Sequence, residues 1–206
     1  MIIEKIVVGP VLTNCYIISD KENGDAVVID PGGGAEKISA YLREKHFTLQ
    51  AILLTHGHFD HMIAAEKLRS EFSVKVYCLE GEQELMADPV MNVGSTFGSP
   101  CMLVPDKTFL DGEELTFGAV SCRAIALPGH TSGGAGFYFK EEEILFSGDT
   151  LFFESIGRTD MPTGNERVLL SAIAERIFTL PDTTKIYPGH GPYTTVGYEK
   201  ENNPYL

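Results

Sequence analysis

The chain has 206 residues, 43% hydrophobic and 22% charged, and its 16 Lys+Arg against 29 Asp+Glu leave a formal charge of −13. That balance argues against a nucleic-acid partner, because counterion release needs clustered basic side chains and here Lys and Arg occur only singly. An anionic membrane surface is disfavoured for the same reason, and the composition is that of one compact domain with a sizeable core.

The opening residues, Met1–Pro10, lack the basic segment and long apolar core of a signal peptide, and no apolar stretch approaches the ~20 residues that span a bilayer. A cytoplasmic protein is expected. Ile2–Val8, Asn14–Ser19 and Ala26–Asp30 read as strands, the last stopped by Pro31-Gly32-Gly33-Gly34. Ile38, Tyr41, Leu42 and Lys45 at helical spacing predict a helix over 35–46. Ala51–Thr55 reads as a short buried strand, followed by a His-rich loop and a helix from Asp60 to Phe72. Val74–Cys78 is again a strand and Glu82–Ala87 a short helix. Over 88–108 the periodicity fails, which predicts a long surface loop, a candidate lid or substrate wall.

Strands follow at Glu114–Phe117, Ser121–Leu127, Gly136–Phe139 and Glu143–Ser147, then a helix over Glu166–Phe178 and a last strand at Lys185–Tyr187. Their apolar runs are continuous, as in strands buried on both faces. Two sheets covered outside by helices would bury them so. Cys15, Cys78, Cys101 and Cys122 show no CxxC spacing and read as reduced, all but Cys101 within strands.

Five of the six histidines fall in short polar motifs that each follow a strand. His56, His58 and His61 lie in Thr55-His56-Gly57-His58-Phe59-Asp60-His61, His130 in Pro128-Gly129-His130-Thr131, and His190 in Pro188-Gly189-His190-Gly191. In a near-extended His-x-His, alternate residues point the same way, so two imidazoles can bind one ion. Asp60 and His61, at the start of the next helix, point towards a second position beside it. Taken singly, Asp60 reads equally as a helix N-cap and Asp149, in Ser147-Gly148-Asp149-Thr150, as a turn former. Their joint occurrence with five motif-bound histidines points to metal ligation. His46 stands outside these motifs and reads as a helix C-terminal dipole contact.

These motifs, in this order, resemble the metallo-β-lactamase superfamily along essentially the whole chain. Gly157-Arg158-Thr159-Asp160 and the ending Glu199–Leu206 are most similar to its short glyoxalase II-like (hydroxyacylglutathione hydrolase-like) members. The resemblance implies an α/β fold, a single-domain αββα sandwich over 1–206 without the C-terminal glyoxalase II helical domain. It implies two metal ions, zinc or with iron or manganese in their place. One would take His56, His58 and His130, the other Asp60, His61 and His190, with Asp149 bridging. It also implies hydrolysis of a small-molecule thioester, such as S-lactoylglutathione or one on a related thiol carrier. On that reading the nucleophile would be a hydroxide between the ions, oriented by Asp60. Asp30, in Asp30-Pro31-Gly32, matches a family turn beside the site; it reads as an orienter of a ligand or as a turn former.

Arg158 and Asp160 stand where the family carries a Lys and a Tyr on the loop after the bridging Asp, which replaces one glutathione contact and loses the other. Tyr193 falls near the third contact, one residue late. Arg158 reads as a substrate-carboxylate ligand or as the partner of Asp160. Gly157–Asp160 also resembles the persulfide dioxygenases, whose mononuclear iron would here use His56, His130 and Asp149. β-Lactam hydrolysis is disfavoured by the missing export signal. RNA cleavage is disfavoured by the missing basic surface.

Overall fold

In the computed structural model, which describes residues 1–206, one six-stranded sheet is built from β1 (Ile2–Val8), β2 (Thr13–Ser19), β3 (Asp25–Ile29), β4 (Thr48–Leu53), β5 (Lys75–Leu79) and β6 (Lys107–Phe109), in that spatial order. It is antiparallel from β1 to β3 and parallel from β3 to β6. The chain then lays down β7 (Glu114–Phe117), β8 (Val120–Ala126), β9 (Ala135–Phe139) and β10 (Ile144–Gly148), a small hairpin of β11 (Leu151–Phe152) and β12 (Ser155–Ile156), and finally β13 (Lys185–Pro188) and β14 (Thr194–Thr195). These form a second six-stranded sheet in the order β14-β13-β10-β9-β8-β7, with the hairpin apart from it and β10 parallel to β13. The helices are α1 (Ala35–Glu44), α2 (Phe59–Met62), α3 (Ala65–Phe72), α4 (Gln83–Ala87), α5 (Glu166–Ala172) and α6 (Val196–Asn202). None is long and apolar enough to cross a membrane.

Side-chain alternation at period two sorts the apolar residues into three layers. On β2, Cys15 and Ile17 face α1 and α3, joined there by Ala26, Val28, Ile38, Leu42 and Leu68. Tyr16 and Ile18 face the opposite way into the space between the sheets, joined by Phe109 of β6, and Phe117, Phe137, Phe139 and Phe146 fill it from the far side. The outer face of the second sheet, through Ile125, Tyr138, Leu145 and Ile186, packs on Leu169 and Ile173 and on Val196 of α6. This is the expected αββα sandwich, and it explains why both parities of the central strands are apolar.

Several elements differ from the sequence reading. The helix expected over Asp60–Phe72 is broken into α2 and α3, because the Ala64 N–H donates to the Pro31 carbonyl at 2.9 Å and so leaves the helical ladder. The helix expected over Glu166–Phe178 passes after Ala172 into a π-helical turn over Ile173–Ile177. β6 begins inside the expected loop; three residues are too few to show a period, and Lys107, Thr108 and Phe109 are strand only by pairing with β5. The β11–β12 hairpin, β14 and α6 were not legible in the sequence pattern, the strands being two residues each.

Strand direction places the site. β3 and β4 are parallel, β10 and β13 are parallel, and β8 lies two antiparallel steps from β10. The carboxyl ends of these strands therefore gather at one edge of the sandwich, the usual place for ligands in α/β sheets. The inter-sheet layer is the rigid support of that edge. Replacing fully buried Phe137, which meets Phe109 edge-on at 5.6 Å, by Ala is expected to cost about 3–5 kcal/mol. Urea unfolding checks it, and a loss below ~1 kcal/mol would contradict the packing described.

Candidate metal centre

Each strand end at that edge delivers one piece. The loop after β4 runs extended to His58 (φ −65°, ψ 145°), which caps α2, so that His56 and His58 precede the helix and Asp60 and His61 fall in its first turn. His130 follows β8, Asp149 follows β10 and His190 follows β13. Their donor atoms form three compact groups, His56/His58/His130, Asp60/His61/His190 and His56/His61/Asp149, each within 4.8 Å. His56 and His61 are thus shared between groups. His61 Nε2 lies 3.4 Å from both Asp60 Oδ2 and Asp149 Oδ1. His190 Nε2 lies 3.2 Å from Asp60 Oδ2 and 3.4 Å from Asp149 Oδ2, and His58 Nδ1 approaches His130 Nε2 to 2.9 Å. Gly189 makes room for the convergence, since a Cβ there would sit 2.1 Å from Asp149 Oδ1 and 2.6 Å from His61 Cε1.

A surrounding ring of hydrogen bonds orients these donors. His61 Nδ1 donates to Asp30 Oδ2 at 3.0 Å. Asp30, buried and in a left-handed conformation (φ +51°), also accepts from Thr55 N at 2.8 Å and Thr55 Oγ1 at 2.6 Å. The Thr55 hydroxyl proton is thereby committed, so its oxygen accepts from His56 Nδ1 at 3.1 Å. His130 Nδ1 donates to the Arg158 carbonyl at 2.7 Å. Three imidazoles consequently aim Nε2 inward. Thr13 Oγ1 donates to Asp60 Oδ2 at 2.9 Å. Asp30 is therefore both a turn residue and the orienter of His61.

Two further side chains lock the loop of His190 to the opposite sheet. Asn14 Nδ2 donates to the Pro188 and Gly191 carbonyls, each at 2.9 Å, and Tyr16 OH donates to Pro188 O at 2.7 Å. Thr13, Asn14 and Tyr16 escaped the sequence reading. Their signal was present, as polar atoms in a strand whose every residue is buried.

Three buried atoms at the centre, Nε2 of His56 and His61 and Oδ1 of Asp149, have no hydrogen-bond partner. Buried polar atoms are seldom left so, and a set of imidazoles and carboxylates suits a zinc, iron or manganese dication. The residues therefore fit the metals that the fold implies. Protonation follows position. Burial, with His61, His130 and His58 close by, holds His56 well below its ordinary value, and burial beside His130 pushes His58 down to about 3. For His61 burial works the same way but is outweighed by the Asp60, Asp149 and Asp30 carboxylates, which raise it well above. His190 likewise resists its burial and is raised to about 9 by hydrogen bonds to Asp149 and Asp60. Burial would raise both aspartates, yet His61 and His190 hold Asp149 well below the usual range and lower Asp60 too.

The centre opens into a cleft of about 420 Å³. His58, Asp60, His130, Asp149 and His190 form its polar floor, and Phe59, Val93, Phe97, Phe152, Ile156 and Met161 much of its apolar wall. Arg158 lines the cleft and forms a two-pronged pair with Asp160, Nε and Nη2 each at 2.7 Å. Tyr193 is exposed and packs on Tyr187 at 5.9 Å; the structure does not bring it to the cleft. His46 is exposed beyond the end of α1. The 88–108 segment is a wall pinned in place. Asn92 Nδ2 donates to Cys101 O at 2.8 Å, Phe59 N donates to Asn92 O at 3.1 Å, and Phe97 stacks on Phe59 at 5.4 Å.

The chain is 39% identical over 202 residues to the probable metallo-hydrolase YqgX of Bacillus subtilis, covering 97% of this chain and 94% of that one. It is 39% identical over 209 residues to the hydroxyacylglutathione hydrolase GloC of Haemophilus influenzae, covering 100% and 98%. Among solved structures it is similar to the BLEG-1 B3 metallo-β-lactamase (TM-score 0.95, 39% identity, 100% and 99% covered) and to TTHA1623 in a di-iron-bound form (0.88, 34%, 98% and 100%). ETHE1 from Myxococcus xanthus is more distant (0.79, 28%, 99% and 84%). The sequence pattern of the metallo-β-lactamase superfamily matches residues 8–190. That span runs from the end of β1 to His190 and takes in every strand end that feeds the centre: the chain belongs to the metallo-β-lactamase superfamily.

Proposed function

We propose that the chain is a dinuclear metal-dependent hydrolase of a thioester, an S-2-hydroxyacyl thiol such as S-lactoylglutathione or a related carrier. The observation that carries this reading is the sharing of His56 and His61 among three overlapping donor groups, with Asp149 in the middle one, which supports two adjacent positions rather than one. His56, His58 and His130 would hold one ion, Asp60, His61 and His190 the other, and Asp149 would reach both. A pair of first-row dications supplies ionised water at neutral pH and a Lewis acid for an acyl carbonyl. Asp60, whose Oδ2 is fixed by Thr13, would use Oδ1 to accept a hydrogen bond from the attacking hydroxide and orient it. The Asp30–His61, Thr55–His56 and Arg158–His130 contacts keep the Nε2 atoms aimed at the centre. The apolar wall would bear the acyl group and carrier arm and exclude bulk water from the bond being cleaved. The name of the Haemophilus influenzae relative supports the thioester. The single guanidinium on the wall is already shared with Asp160, so a carrier with fewer carboxylates than glutathione is accommodated equally.

The second reading is a mononuclear iron persulfide dioxygenase, which the likeness to ETHE1 at 28% identity and the 157–160 motif keep in view. Asp149 groups with His56 and His61, and its Oδ2 also lies 3.7 Å from His130 Nε2, so the donor geometry serves this reading as well. Metal content measured beside a substrate panel decides between them. The panel contains S-lactoylglutathione, uncharged thioesters, a persulfide with oxygen uptake, and a β-lactam because of the BLEG-1 likeness. Two ions per chain with thioester turnover support the hydrolase, whereas one iron with persulfide-dependent oxygen uptake replaces it.

His58→Ala and Asp149→Ala are each expected to lower thioester turnover to under about one-hundredth with the far-UV spectrum retained; retained turnover in both rejects the dinuclear mechanism. Phe97→Ala should raise KM several-fold with kcat little changed, and unaltered kinetics would remove that wall from recognition. For pH, His190 is raised to about 9 from 6.5 in the metal-stripped protein. The stabilisation from its proton is complete below about 6.5 and lost as pH rises through about 9. Metal uptake at pH 7–8 should therefore release protons, detected as a dependence of the binding heat on buffer ionisation enthalpy. The same linkage predicts an acid limb below about pH 6.5, where protons compete for imidazole. A rate flat from about pH 5 to 8 would contradict it.

A further inference from the structure

One fully buried acid beside the centre has no place among the seven candidate ligands. Glu82 is 0% exposed and caps the start of α4. No Lys or Arg is buried with it. Its two oxygens instead accept two backbone N–H groups from distant loops, Oε1 from Gly57 at 2.9 Å and Oε2 from Gly133 at 2.7 Å. Gly57 lies between His56 and His58, and Gly133 closes the turn that starts at His130. One carboxylate thus joins the two loops that carry all three imidazoles of one donor group.

Both loops are shaped for this contact. A Cβ on Gly133 would lie 2.5 Å from Glu82 Oε2 and 2.8 Å from Glu82 Cβ, and one on Gly57 would lie 2.5 Å from Met86 Cγ of α4. The chemistry of the joint requires two acceptors. A Gln of the same size offers one acceptor and one NH₂ group, which would face an N–H and leave it buried and unpaired. An Asp is one methylene short of spanning the two loops.

We propose that Glu82 is the positioning residue of the His56/His58/His130 metal position, fixing the separation of its two loops and so its metal affinity without touching the ion. The inference rests on the metal-centre reading given under the proposed function. It places the control of one metal position on the residue that caps α4, outside the ligand motifs in sequence.

The test is a cobalt(II) titration of the metal-stripped full chain, followed by visible absorption and chelator competition. A His190→Ala background isolates the His56/His58/His130 position, and a His58→Ala background isolates the other. Glu82→Gln is expected to weaken cobalt binding at the first position about 10–100-fold and alter its visible bands, while the second position changes less than about threefold. Gly133→Ala, which keeps the acid and its charge but displaces the Gly133 N–H, should do the same, and it decides the matter should Glu82→Gln not fold. Glu142→Gln, an exposed acid on the β9–β10 turn, controls for net charge and should titrate as wild type. Wild-type cobalt constants in both variants, or equal weakening at both positions, would overturn the proposal. A wild-type chain that takes up no cobalt overturns the metal-centre reading itself, a distinct result.

Discussion

Four carboxylates, Asp30, Asp60, Glu82 and Asp149, lie at or behind one edge of the sandwich, almost wholly withdrawn from water, and no Lys or Arg is buried to meet them. An uncompensated charge in such a place costs several kcal/mol. The structure answers with imidazoles and backbone N–H groups, each in a definite position. Asp30 takes Thr55 and His61, Glu82 takes the Gly57 and Gly133 amides, and Asp60 and Asp149 face His61 and His190. Two divalent ions would match the four negative charges, so the electrostatic arrangement and the proposed dinuclear chemistry have one origin. An overall charge of −13 is compatible with a site that gathers cations.

Neither sheet makes the centre by itself. The first sheet brings His56, His58, Asp60 and His61, and the second brings His130, Asp149 and His190. Their relative position depends on the phenylalanine-rich layer between the sheets and on polar ties across it. Asn14 and Tyr16 reach from β2 to the loop of His190, and Glu82 reaches from the first sheet's side to the loop of His130. A metal spanning such a junction would also couple the halves, adding its binding free energy to folding.

Much of this was legible in the sequence. The three apolar layers follow from continuous apolar strands, and the donor residues from histidines concentrated after strands. Where the reading failed, the cause was local capture by distant groups. Ala64 gives its N–H to Pro31 and breaks a helix whose residues favour continuity, and β6 exists only because β5 lies beside it. In the sequence Asn14 and Tyr16 read only as strand residues and Thr13 falls just before the expected strand, because their partners are 47 to 177 positions away.

The sequence by itself determined which chemistry the chain can support and which strands are buried on both faces, since ligand type and apolar periodicity are properties of neighbouring residues. Only the tertiary structure decided that Asp149 groups with His56 and His61, which nitrogen His56, His61 and His130 turn to their hydrogen-bond partners, that Arg158 serves His130 through its carbonyl while its side chain pairs with Asp160, and that Tyr193 packs on Tyr187 and does not line the cleft. It also decided the hydrogen-bond partners of Glu82, which in sequence is an ordinary acid at the head of a short helix. Hydrogen-bond direction and charge compensation are settled between residues far apart in the chain, and they acquire values only when the two sheets close on each other.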